Sequence, residues 1–179
     1  MEYPNLETLP DELKEIINGK RSANVYKMLM HTPNVAPGFT AMADAIMWSP
    51  SWPATLRELA IVRVGHQYNS PYEVHQHEQI GRLMGLSDPK LNACAIGADQ
   101  AALTAEEQTI IRLTDTLVTN HRFTTKELAE GQQLLGINGL ADFVLTVGFY
   151  QAVSNFLNVF DVQKEEVDLF PRPDKEATS

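Results

Sequence analysis

"LRELAIVRVGHQYNSPYEVHQHEQIGRLMGLSD", residues 56–88, decides how this chain folds. Its first half belongs to a helix expected over Ala54 to about Gln67, apolar around nearly its whole circumference. A helix that is hydrophobic on all sides belongs in an interior. Asn69, Ser70 and Pro71 then interrupt it, and Pro71 suits the first position of a second helix that Gly85 would close as a C-cap.

Working outward, the rest of the chain also reads as helices, with no convincing alternation of a strand. Upstream, short helices are expected over Asp11 to Asn18, about Ala23 to His31 and Phe39 to Trp48, with "TPNVAPG" as a loop before the third. Downstream, "SDPKLNACAIG", Thr104 to Asn120, Thr124 to Leu135 closed by Gly136, and Leu140 to Phe160 follow. The fold class is all-α. The organisation expected is an N-terminal helical extension over 1–35, a helical domain over 36–162 and a C-terminal tail over 163–179, whose end, "DLFPRPDKEATS" (168–179), reads as frayed or loosely docked. Two over-apolar helices on so short a chain point to a homo-oligomer.

Composition narrows the function. At 179 residues the chain suits a single domain. Net charge is −9, with Lys and Arg dispersed, which argues against nucleic acid or an anionic membrane as a partner. One cysteine, Cys94, permits no intrachain disulfide and no CxxC pair, and suits a reducing cytoplasm. The acidic N-terminus lacks the apolar run of a secretory signal. "FVLTVGFYQAVSNFLNVF" is interrupted by polar residues and reads better as a buried helix than as a membrane span.

Three residues draw attention. Glu73 and His77 lie four apart, so a helix puts carboxylate and imidazole on one face. Glu58 stands among apolar neighbours, where an unpaired carboxylate is costly. Each has a plainer reading: Glu73 completes a capping box with Ser70, as Glu107 does with Thr104 and Glu127 with Thr124. His77 would then be a hydrogen-bonded core residue and Glu58 half of a buried ion pair. Arg63 and His66 are secondary candidates for holding an anionic substrate. His75 and His77 diverge around a helix and cannot readily share an ion, and no HExxH spacing occurs, so neither metal nor cofactor is expected.

The quoted stretch resembles the carboxymuconolactone decarboxylase family, which shares its fold with alkylhydroperoxidase D-like proteins; the likeness extends over roughly residues 35 to 160. The peroxidase branch carries a glutamate, a CxxC pair and a histidine four residues after the second cysteine. Glu58 and His77 match that glutamate and histidine, whereas Ser70 and Glu73 stand at the cysteine positions. Thiol peroxidase activity is therefore not implied. Glu73 and His77 fit the ExxxH of the decarboxylase-like branch. The resemblance implies a homotrimer or homohexamer with pockets near subunit interfaces, and a carboxy-lyase acting on a small anionic lactone.

From residues and resemblance together, the expectation is a cofactor-free acid/base enzyme of aromatic-compound catabolism. Its catalytic residues would be His77, Glu73 and Glu58, with Arg63 and His66 on the substrate. Other proton-transfer chemistry, such as isomerisation or lactone hydrolysis, is the alternative. A non-catalytic oligomeric binding protein is the rival from another class.

Overall fold

The computed structural model describes residues 1–170. Within them the chain is helical throughout, with no strand. After a 3-10 turn at Leu6–Thr8 come α1 (Asp11–Gly19), α2 (Asn24–Leu29), α3 (Ala36–Met47), α4 (Ala54–Gln67), α5 (Pro71–Leu83), α6 (Asp88–Ile96), α7 (Ala105–Asn120) and α8 (Thr125–Val159).

The over-apolar helix is central, as its composition demands. α4 packs against α5, α6, α7 and α8, and Leu59, Ala60, Ile61, Val62 and Val64 lose all contact with solvent. Facing them are Ile110, Ile111 and Leu113 of α7 and Phe143 of α8, which meets Trp52 edge-on at 5.6 Å. α1, α2 and the start of α3 form a second apolar cluster around Leu13, Ile17, Leu29, Met30 and Ala36.

The α4–α5 turn is tight for a local reason. Asn69 takes a left-handed conformation (φ 49°), and the Ser70 N–H donates to Gly65 O at 2.9 Å. Gly65 lets α5 approach: a Cβ there would lie 2.9 Å from Val74 Cγ2 and 3.3 Å from Val74 N. This contact lays the first turns of α5 along α4 and sets the relation of Glu73 to Glu58.

Three expectations change. α3 starts three residues earlier than expected, because Pro37 and Gly38 sit in its first turn, where an absent N–H is tolerated. The helices expected on either side of Gly136 run together with no loop between them, broken only at Gly136 itself (φ 67°, ψ 175°). The tail, as far as it is described, is pinned. Glu165 accepts hydrogen bonds from Asn24 N (2.7 Å), Tyr72 Oη (2.7 Å) and Gln76 Nε2. Arg21 donates to Leu169 O at 2.6 Å and stacks on Phe170. Residues 171–179 lie outside the described part. α8 is long and apolar enough to cross a membrane by length and composition, but half of its most apolar stretch is buried inside this fold.

Candidate active site

α4 and α5 bring Glu58, Glu73 and His77 to one place. Glu58 is fully buried and His77 is 7% exposed. His77 Nδ1 stands 2.7 Å from Glu58 Oε2 in an aligned hydrogen bond. On the other side of the ring, Nε2 is 3.1 Å from Glu73 Oε1. That second contact is one of charge rather than a hydrogen bond, because Glu73 Oε1 has no hydrogen-bond partner among the described residues. The two ring nitrogens are thus unequal: Nδ1 is locked, and Nε2 has a carboxylate beside it and an uncommitted direction.

Electrostatics follow from this geometry. Burial disfavours an imidazolium, but the charges of Glu58 and Glu73, with their polar contacts, outweigh it and raise the His77 pKa to about 10. At neutral pH His77 is a cation held between two carboxylates.

Two further residues complete the setting, and neither stood out in the sequence. Arg57, 3% exposed, lies with Nε 3.7 Å from Glu58 Oε1; its Nη1 makes one long contact, 3.5 Å, to Ser49 O, and its Nε has no hydrogen-bond partner. Tyr150 of α8 meets the His77 ring edge-on at 4.9 Å, and among the described residues its hydroxyl donates only to Met47 Sδ at 3.4 Å. Burial first, then the charges of Glu73 and Glu58, push the Tyr150 hydroxyl well above its ordinary pKa, so it stays an O–H donor. A second charge in "LRELAI" was a usable signal for Arg57. Tyr150 had none, since one tyrosine in an apolar helix looks like core.

The extension reaches this centre as well. Burial, then the carboxylates of Asp44 and Glu73, raise the pKa of Tyr26 on α2. Tyr72, next to Glu73, accepts from Val25 N at 3.3 Å while donating to Glu165.

The capping reading of Glu73 is corrected. Ser70 is the N-cap residue of α5 but makes no side-chain cap bond, and its Oγ is buried without a partner. The boxes at Thr104/Glu107 and Thr124/Glu127 are both formed. Glu73 differs because its side chain is turned to His77.

Arg63 and His66 are not brought to this centre. Arg63 grips Asp115 of α7 with Nε (2.6 Å) and Nη2 (3.0 Å), and donates from Nη1 to Cys94 O (2.7 Å). Five residues from Glu58 on α4, it points to a different side, about 140° around at roughly 100° per residue. This is a structural clamp on α6 and α7, which corrects the expectation of an anion anchor. His66 lines a separate surface cleft with Gly65, Asn69, Ser70, Val74 and Lys164. Cys94 is on the buried face of α6, and burial pushes its thiol up to about 12.

Comparison with known proteins agrees with the sequence reading. Residues 33–116, from just before α3 into α7, match the carboxymuconolactone decarboxylase family. No curated protein matches the chain. Among solved structures, an alkylhydroperoxidase AhpD core, an uncharacterized peroxidase-related protein from Ralstonia eutropha JMP134, superposes with a TM-score of 0.77 at 18% identity, over 93% of this chain and 92% of that one. A cysteine-to-alanine variant of the debrominase Bmp8, solved with 2,3,4-tribromopyrrole, gives 0.76 at 12% identity, over 92% and 90%. Residues 33–116, which hold Glu58, Glu73 and His77, are thus similar to the carboxymuconolactone decarboxylase family, and the all-α fold is of the AhpD type.

Proposed function

We propose that this protein is a cofactor-free acid/base enzyme, a carboxy-lyase acting on a small anionic lactone or carboxylate. The observation that carries the reading is the buried imidazolium of His77 between Glu58 and Glu73. A protonated histidine at neutral pH is a proton donor, not a base. In decarboxylation the bond to the carboxylate carbon breaks, CO2 leaves, and the electron pair remains as an enolate. His77 Nε2–H then protonates the carbon, and a solvent proton restores the imidazolium. Glu58 fixes the ring through Nδ1–H, and Glu73 stabilises the cation beside the reactive nitrogen. Arg57 takes the part first given to Arg63: its under-used guanidinium, with the Tyr150 hydroxyl, suits a carboxylate or developing oxyanion. Assembly as a homotrimer or homohexamer belongs to the same reading, and exposed Ile137, Val144 and Leu145 on α8 support it.

The test is CO2 release from a panel of small lactone carboxylates. His77→Gln and Glu58→Gln are each expected to lose about 100-fold or more in turnover, the usual contribution of a positioned acid. Near-normal turnover in both would remove the proposal. The near-complete burial of His77 favours one rival, a non-catalytic binding protein. On that reading no member of the panel is turned over, although anionic ligands still shift the His77 resonances.

A further inference from the structure

A cleft of about 490 Å³ opens beside the α4–α5 turn, lined by His66, Ser70, Pro71, Val74, His75 and Lys164, among others. It is not part of the centre described above. Along α5, Pro71, Val74, His75 and Glu78 border it, whereas Glu73 and His77 lie on the side turned to Glu58. The volume falls within the range of small-molecule sites.

Its polar groups are unsatisfied in a consistent way. Ser70, 1% exposed, has a buried Oγ with no hydrogen-bond partner among the described residues. His66 Nε2 is likewise buried and unpartnered among those residues. Buried polar groups are nearly always hydrogen-bonded, so two orphans at one cleft call for a ligand. Because Ser70 makes no cap bond, the N-terminus of the thirteen-residue α5 also lacks a side-chain acceptor here. Such a terminus favours negative charge.

Charge sets the class of ligand. Lys164 reaches the cleft from the pinned tail and pairs with no carboxylate among the described residues. Glu78 is held by Arg82 at 3.1 Å, and His75 lies 3.2 Å from Asp168. Burial lowers the pKa of His66, opposed in part by the Glu78 carboxylate and reinforced by the Arg63 guanidinium, so its ring is neutral at pH 7. That leaves one uncommitted cation beside the apolar walls of Pro71 and Val74, which matches a monoanion with an apolar body.

We propose that this cleft is a binding site for a small organic carboxylate, with Lys164, Ser70 and His66 holding the carboxylate. The site is separate from the Glu58–Glu73–His77 centre and does not depend on that centre being catalytic.

Amide resonances of the full chain would be followed during titration with sodium benzoate, with benzyl alcohol and inorganic phosphate in parallel. Benzoate is expected to saturate one site and shift the amides of Val74 and His75, with little response to the other two. Lys164→Gln and Ser70→Ala should each weaken it roughly tenfold, as expected for charge-assisted hydrogen bonds. Ser70→Ala should not lower Tm, since Oγ has no partner to lose, and His77→Gln should bind as the wild type does. The inference is overturned if benzoate does not saturate, if benzyl alcohol or phosphate does so equally, if binding survives in both cleft variants, or if His77→Gln abolishes it.

Discussion

His77 acquires its character from neighbours on two helices. Glu73 comes from its own helix four residues back, and Glu58 from α4. The first neighbour was legible from spacing. The second was legible only as a carboxylate in the wrong company, until the family pattern joined it to His77. Arg63 shows the limit of such reading, because Arg57 and Arg63 are equally plausible anion holders in a string of letters. Which of them faces Glu58 depends on the rotation of α4, and the partners that settle it, Asp115 and the Cys94 carbonyl, lie far along the chain. Arg63→Met should therefore destabilise the fold by about 2 kcal/mol, less than the usual cost of breaking a fully buried ion pair because Asp115 is only partly buried. It should leave the His77 titration where it is. Chemical denaturation gives the first quantity and histidine NMR the second.

Among the elements, the helix starts divide into two kinds. Thr104 and Thr124 cap their helices reciprocally with Glu107 and Glu127, whereas Ser70 and Glu73 have the same spacing and make no such bonds. The local rule was satisfied at all three positions, and tertiary contact with His77 overrode it at one. Thr104→Ala should lower stability by about 1 kcal/mol, against little or no loss for Ser70→Ala, measured by urea unfolding of both. Element existence was readable almost everywhere, because α4, α5 and α7 announce themselves by apolar spacing and by Pro or Thr at their starts. What could not be read was α8's continuity. Gly136 ends a helix in sequence terms, but here its backbone turns in a conformation nearly reserved for glycine and the next helix begins at once.

For the molecule as a whole, the buried centre links stability to pH. His77 has a folded pKa raised to about 10, above its ordinary value of about 6.5. The folded state therefore holds this proton more tightly than the unfolded chain does. The stabilisation is fully present below about pH 6.5 and is lost as pH rises through 10. Cys94, raised to about 12, adds a loss of the same sign only above its ordinary pKa of 9.0. Between pH 7 and 9 the wild type should lose stability steadily and His77→Gln much less, which paired thermal melts would show. The termini belong to this scale too: Glu165 ties α2 and α5 together, so the segment leading into the stretch expected to be loose helps hold the extension against the site. Nothing local in "DVQKEEVDLF" marks Glu165 out from Glu166, because its three donors come from residues 24, 72 and 76.

The most direct test of the account is the titration of His77, followed by the Cε1–H resonance in the wild type and in Glu58→Gln. The account predicts a wild-type imidazolium that persists to about pH 10 and a pKa that falls when Glu58 loses its charge. A wild-type His77 titrating near 6.5, unmoved by Glu58→Gln, would contradict it.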